Sequence, residues 1–187
     1  MSLTRKHTRL SKYDYSQSNY YFITTCAENR KEWFSEIKNN TMILNLYGEI
    51  CETCLNALPQ HYNNLEIDTF IIMPNHIHGI FIINNSIRDN YKLREGYKPS
   101  PTYFNYSLAE IIRGFKTFSS KQINKTIPSD NKFKWQRSFH DHIIRNDKSL
   151  NNIREYIITN PATWDKDVEN PNNFNNIKLN ENCITSS

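Results

Sequence analysis

A chain of 187 residues suits one domain with a full core, and its 13% aromatic content is generous beside 37% hydrophobic residues and a mean hydropathy of -0.73. Its apolar runs fall short of the roughly 20 residues a membrane span needs, and the opening Met1-Ser2-Leu3-Thr4-Arg5-Lys6-His7 has no apolar secretory segment, so a cytoplasmic protein with no membrane partner is expected. A net charge of +4 and a pI near 8.8 permit a nucleic-acid partner without demanding one.

Residues 1–18 read as a basic arm, with Arg5, Lys6, Arg9 and Lys12 beside Tyr13 and Tyr15; it can lie on phosphates and stack on bases, or be a solvated terminus. The aromatic and β-branched run 20–26 predicts a first strand. Ile43, Tyr47, Ile50, Cys54 and Leu58 recur at helical spacing and predict a helix over 41–58. Within it Cys51-Glu52-Thr53-Cys54 has redox or zinc spacing but no second ligand pair, which favours packing. With Cys26 and Cys183 these cysteines give no disulfide framework and read as reduced thiols. Strands over 65–73 and 76–83 join at Pro74-Asn75, an antiparallel pair with histidines at its mouth, near solvent.

The polar stretch 84–106, with Pro99 and Pro101, shows no apolar period. Ser107-Leu108-Ala109-Glu110 is a capping-box pattern that opens a helix with Leu108, Ile111, Ile112, Phe115 and Phe118 on one side and Arg113, Lys116 and Ser120 on the other. Residues 134–145 predict another strand. Asp147 can cap a last helix with the stripe Leu150, Ile153, Ile157, stopped by Pro161. Past Trp164 the chain turns Asn-rich and predicts a loose tail. The order β-α-β-β-α-β-α is a split βαβ arrangement with an added helix, an α+β fold with an antiparallel sheet. The expected boundaries are an arm over 1–18, a domain over 19–167 and a tail over 168–187.

Met73-Pro74-Asn75-His76-Ile77-His78-Gly79 carries the chemistry. On a strand, His76 and His78 project to one face while Ile77 points to the core, so two imidazoles can reach one divalent ion. They make half of a metal site, and a third, oxygen-bearing ligand would leave positions open for phosphate oxygens. His140-Asp141-His142 is a rival pair, but Arg137 and Arg145 flank it and favour phosphate over a cation, which assigns it to DNA contact or structure. In Tyr156-Ile157-Ile158-Thr159-Asn160-Pro161 a phenol and an amide sit one helical turn apart at the border of the apolar stripe, facing a seam between helix and sheet. Tyr156 is the candidate nucleophile and Asn160 the candidate third ligand, although an ordinary amphipathic tyrosine would occupy the same border.

These blocks, together with Ile111-Ile112-Arg113-Gly114-Phe115-Lys116 and Trp135-Gln136-Arg137-Ser138-Phe139-His140-Asp141-His142-Ile143-Ile144-Arg145, resemble the single-tyrosine HUH transposases of insertion sequences, most closely the REP-associated tyrosine transposases, over residues 20–165. The resemblance implies a ferredoxin-like nuclease core. It implies cleavage of single-stranded DNA, often beside a hairpin, that leaves a 5′-phosphotyrosine and a free 3′-hydroxyl, as in DNA transposition. It makes His76 and His78 ligands of Mg²⁺ or Mn²⁺ and Tyr156 the nucleophile. Asn160 departs from the insertion-sequence pattern, which has glutamine at that step. The tyrosine helix can serve a partner's site in trans in insertion-sequence members, whereas the REP-associated branch can act as a monomer, so monomer and homodimer both stay open.

Arg113, Lys116, Lys134, Arg137 and Arg145 are candidate phosphate contacts, and Trp135 a candidate base-stacking residue or a core residue. Two other function classes fit the same residues: a non-catalytic single-strand or hairpin DNA-binding module, and a metal-dependent phosphoesterase.

Overall fold

The computed structural model describes residues 13–39, 41–85, 106–128 and 130–173. Basic residues 5–12 of the expected arm, most of the 84–106 connection and residues 174–187 lie outside them. The strand β1, Asn19–Cys26, is followed by a short hairpin, β2 (Ser35–Lys38) and β3 (Thr41–Leu44), then by helix α1, Leu46–His61. The strands β4, Leu65–Ile72, and β5, His76–Ile83, come next, then α2, Leu108–Thr126, β6, His140–Ile144, and α3, Asp147–Thr159. A 3-10 turn, Asn160–Lys166, extends α3.

The four main strands stand in the order β4-β5-β1-β6, every neighbouring pair antiparallel. With α1 between β1 and β4 and α2 between β5 and β6, this is the ferredoxin-like α+β arrangement of the HUH nuclease core. Period-two alternation sorts the sheet residues. Tyr21, Ile23, Ile77, Phe81 and Ile83 pack under α1 and α2 in the main core. Phe22, Ile80 and Ile144 face the other way, where Leu150 and Ile157 of α3 cover them. Burying two such aliphatic side chains is worth about 2 kcal/mol each, enough to hold a short helix that would be marginal alone. Where α1 meets α2, the Tyr62 hydroxyl would lie only 1.9 Å from a Cβ at Gly114, so no larger residue fits there without movement.

Several elements differ from expectation. The helix expected over 41–58 starts later, because Thr41–Leu44 pairs with Ser35–Lys38 and the Asn45 side chain caps the helix by accepting from the Tyr47 and Gly48 amides. Ile43 is therefore a strand residue and 44% exposed. Phe118, placed by spacing on the apolar side of α2, is 48% exposed. In the stretch 134–145 only His140–Ile144 is regular strand, with Trp135 bridged to Ala27. Cys51 and Cys54 are buried free thiols packed in α1, as the lack of a second ligand pair favoured. Tyr13 and Tyr15 lie against Tyr21 at the rim of the core. Among the described residues no helix is long and apolar enough to cross a membrane.

Candidate active site

His76 and His78 open β5 on the face that α3 covers. They are not at a solvent mouth: β5 is an interior strand, and the two residues are 0% and 3% exposed beneath the segment that follows α3. Across the ladder Thr24 is opposite His78, and its Oγ1 lies 2.8 Å from His78 Nδ1. Asn75 fixes the other ring. Its Nδ2 donates to the carbonyls of Arg30 and Glu169, which leaves Oδ1 as acceptor 2.8 Å from His76 Nδ1. The His76 proton is thus on Nδ1, and Nε2 keeps its lone pair.

That Nε2 meets His78 Nε2 at 2.9 Å, an approach that needs a proton or a cation between two nitrogens. Burial, then the neighbouring His78 ring, lower the pKa of His76 to about 3 against partial opposition from Asp167, so at neutral pH the ring is an uncharged donor. The third group was missed by sequence reasoning. Asp167, just past the 3-10 turn, puts Oδ2 3.9 Å from His76 Nε2 and 4.0 Å from His78 Nε2. Burial pushes its carboxyl up, but His78, the Glu169 amide and His76 outweigh this and hold it down at about 2. Its Oδ1 accepts from the Glu169 amide, while the buried Oδ2 has no hydrogen-bond partner among the described residues. Two imidazole nitrogens and a buried carboxylate oxygen suit a divalent cation, and among the described residues this is the one such group.

Tyr156 reaches the same place from α3. Its hydroxyl lies 3.2 Å from His78 Nε2, and its ring packs against His78 and edge-on against Phe22. Burial and the Asp167 charge push the phenol up to about 12, with the Asn160 amide pulling the other way. Asn160 keeps helical φ -54° and ψ -41° despite the proline after it, which places it one turn below Tyr156. Its buried carboxamide faces the phenol and Asp167, without a hydrogen bond closing to either. The helix is pinned by Arg154, whose Nε and one terminal nitrogen donate to Asp68 at 2.8 and 2.6 Å. Asp68 is the extra residue of a bulge in β4, and the bulge aims its carboxylate at α3.

The other expected residues divide. Arg113, Lys134, Arg137 and Arg145 are exposed. Lys116 is not a spare surface cation: its ammonium donates to the Gln136 and Ser138 carbonyls and ties α2 to the approach to β6. Trp135 is no base-stacking platform. It is 9% exposed, packs against Phe34, Phe115 and Phe133, and donates its indole N–H to Ser119. His140 and His142 are exposed and outside the cation group.

Residues 101–160 match the family of IS200-like transposases. A Haemophilus influenzae protein of no stated function is 35% identical over 167 residues, 87% of this chain and 91% of that one. A second protein of that organism, described as a REP-associated tyrosine transposase, is 30% identical over 150 residues, 80% of this chain and 73% of its own length. The solved structure of a REP-associated tyrosine transposase bound to a REP hairpin resembles this fold with a TM-score of 0.55 at 18% identity, over 83% of this chain and 73% of that one.

Proposed function

This chain belongs to the REP-associated tyrosine transposases, and from that premise we propose that it cuts and rejoins single-stranded DNA beside a hairpin, with Tyr156 as nucleophile. The observation that carries the reading is the Tyr156 hydroxyl 3.2 Å from His78 Nε2, within a pocket of cation-binding donors. His76 and His78 would hold Mg²⁺ or Mn²⁺ there, together with an oxygen from the segment that carries Asn160 and Asp167, and a bound divalent ion would supply positive charge to a phosphate at the site.

Tyr156 Oη forms the bond to phosphorus as the bond to the 3′ oxygen breaks. The phenol gives up its proton to solvent, the departing oxygen takes one up, and the products are a 5′-phosphotyrosine and a 3′-hydroxyl. Because the linkage keeps a phosphodiester, attack by a 3′-hydroxyl rejoins the strand with no energy-supplying cofactor. Thr24 and Asn75 fix the imidazole rings, Phe22 packs beneath His78 and Tyr156, and the Asp68 and Arg154 pair holds α3 in line. The exposed Arg113, Lys134, Arg137 and Arg145 contact DNA phosphates. One chain supplies both the histidines and the tyrosine, so a monomer suffices.

The test is covalent capture. Incubation with a single-stranded oligonucleotide carrying a hairpin, in Mn²⁺, should give a protein-DNA adduct stable to denaturant and absent in Tyr156→Phe. Cleavage without an attached strand that survives Tyr156→Phe would instead show a water-using phosphoesterase, and a gel shift alone a binding module.

A further inference from the structure

The geometry points to Asp167, and not the amide of Asn160, as the third protein ligand of the cation at His76 and His78. This rests on the cation site of the proposed function and names its missing donor. Asp167 Oδ2 and the two Nε2 atoms form a triangle with sides of 2.9, 3.9 and 4.0 Å. The point equidistant from its corners lies about 2.1 Å from each atom, the bond length of small divalent cations to nitrogen and oxygen. The two nitrogens already have the spacing of cis ligands on an octahedral ion, and Oδ2 would close on them by about 1 Å to complete the set, a shift an aspartate side chain can make.

The buried Asp167 Oδ2 has no hydrogen-bond donor among the described residues, and it faces two imidazole nitrogens. A cation would give all three atoms a partner together. A carboxylate is also the stronger oxygen donor toward a hard cation than a neutral amide. Asn160 is left facing the Tyr156 hydroxyl.

The fold holds Asp167 in place by a clasp on the far side of the histidines. Arg30 Nε pairs with Glu169 Oε2 at 2.7 Å, and Asn75 Nδ2 donates to the backbone carbonyls of both Arg30 and Glu169. Arg30 takes a left-handed φ of 53° in doing so, a conformation that costs a non-glycine residue energy and that the clasp stabilises. Since Asn75 Oδ1 also sets the His76 ring, one asparagine links the orientation of two ligands.

The experiment titrates Mn²⁺ into the metal-stripped full chain, reading bound ion by electron paramagnetic resonance and thermal melting in parallel. Asp167→Asn should weaken Mn²⁺ binding by about tenfold or more and remove most of the metal-induced rise in Tm. Each rise in Tm is read against the same protein's own metal-free melt. Asn160→Ala should leave Mn²⁺ affinity unchanged. The assignment is overturned if Asn160→Ala loses the affinity while Asp167→Asn keeps it. Should His78→Ala also bind Mn²⁺ like wild type, the cation is not at the imidazole pair, and the proposed function falls with the assignment; loss in His78→Ala with none in Asp167→Asn overturns the assignment alone.

Discussion

Tyr156 and His78, far apart in sequence, meet within one chain: the phenolic oxygen lies 3.2 Å from the imidazole Nε2. The proposed function, with both groups supplied by one chain, has a direct consequence. Mixing Tyr156→Phe with His78→Ala protein should restore no covalent adduct. Adduct in the mixture, measured on a denaturing gel, would mean that helices exchange between subunits.

Arg154 and Asp68 control how well that meeting is aligned. Replacing Asp68 with alanine removes both guanidinium contacts of α3 to the bulge in β4. Because the guanidinium is exposed and screened by solvent, the loss of stability should be small. Adduct formation should fall further, about tenfold or more, because a misaligned nucleophile costs rate steeply. Single-turnover capture compared with chemical denaturation separates the two effects, and Mn²⁺ affinity should not change.

Ile157 is the buried anchor of the same helix, 1% exposed against the sheet. Truncation to alanine opens a cavity and should cost about 3 kcal/mol, read as a lower denaturation midpoint with an unchanged slope. Ile158 is 70% exposed, so Ile158→Ala should change stability little.

Acid should destabilise the metal-free fold through the site itself. His76 has its pKa lowered from 6.5 to about 3, so between those values the unfolded chain binds a proton that the folded chain does not. Stability is fully present above pH 6.5 and is lost as pH falls through that window. Asp167, lowered from 3.8 to about 2, extends the loss at still lower pH. Urea denaturation of wild type and His76→Gln from pH 7 to 4 checks the sign, the variant showing the shallower decline. Protons compete with the cation for His76 only as pH nears its folded value of about 3, so protonation of that ring should not weaken Mn²⁺ binding between pH 7 and 4.

Much of this arrangement could be read from residue order, because strand period puts His76 and His78 on one face and the capping box marks the start of α2. Asn160 and Tyr156 share a helical face for the same kind of reason. Asp167 could not be found that way. It follows a proline and a 3-10 turn in an Asn-rich stretch with no period, and only the clasp through Arg30, Glu169 and Asn75 brings it under the histidines. The hairpin before α1 escaped notice because four-residue strands are too short for periodicity to separate from a helix. Trp135 and Lys116 misled for another reason: a tryptophan and a lysine among basic residues look like a nucleic-acid surface until the fold turns one inward and ties the other to backbone carbonyls.

The most direct test is to digest the adduct formed with a hairpin-bearing oligonucleotide in Mn²⁺ and locate the attached nucleotide by mass spectrometry. A 5′-phosphoryl linkage on Tyr156, lost when His76 and His78 are replaced by alanine, is the predicted result. Attachment to a different tyrosine, or adduct formation that persists without both imidazoles, would contradict the account.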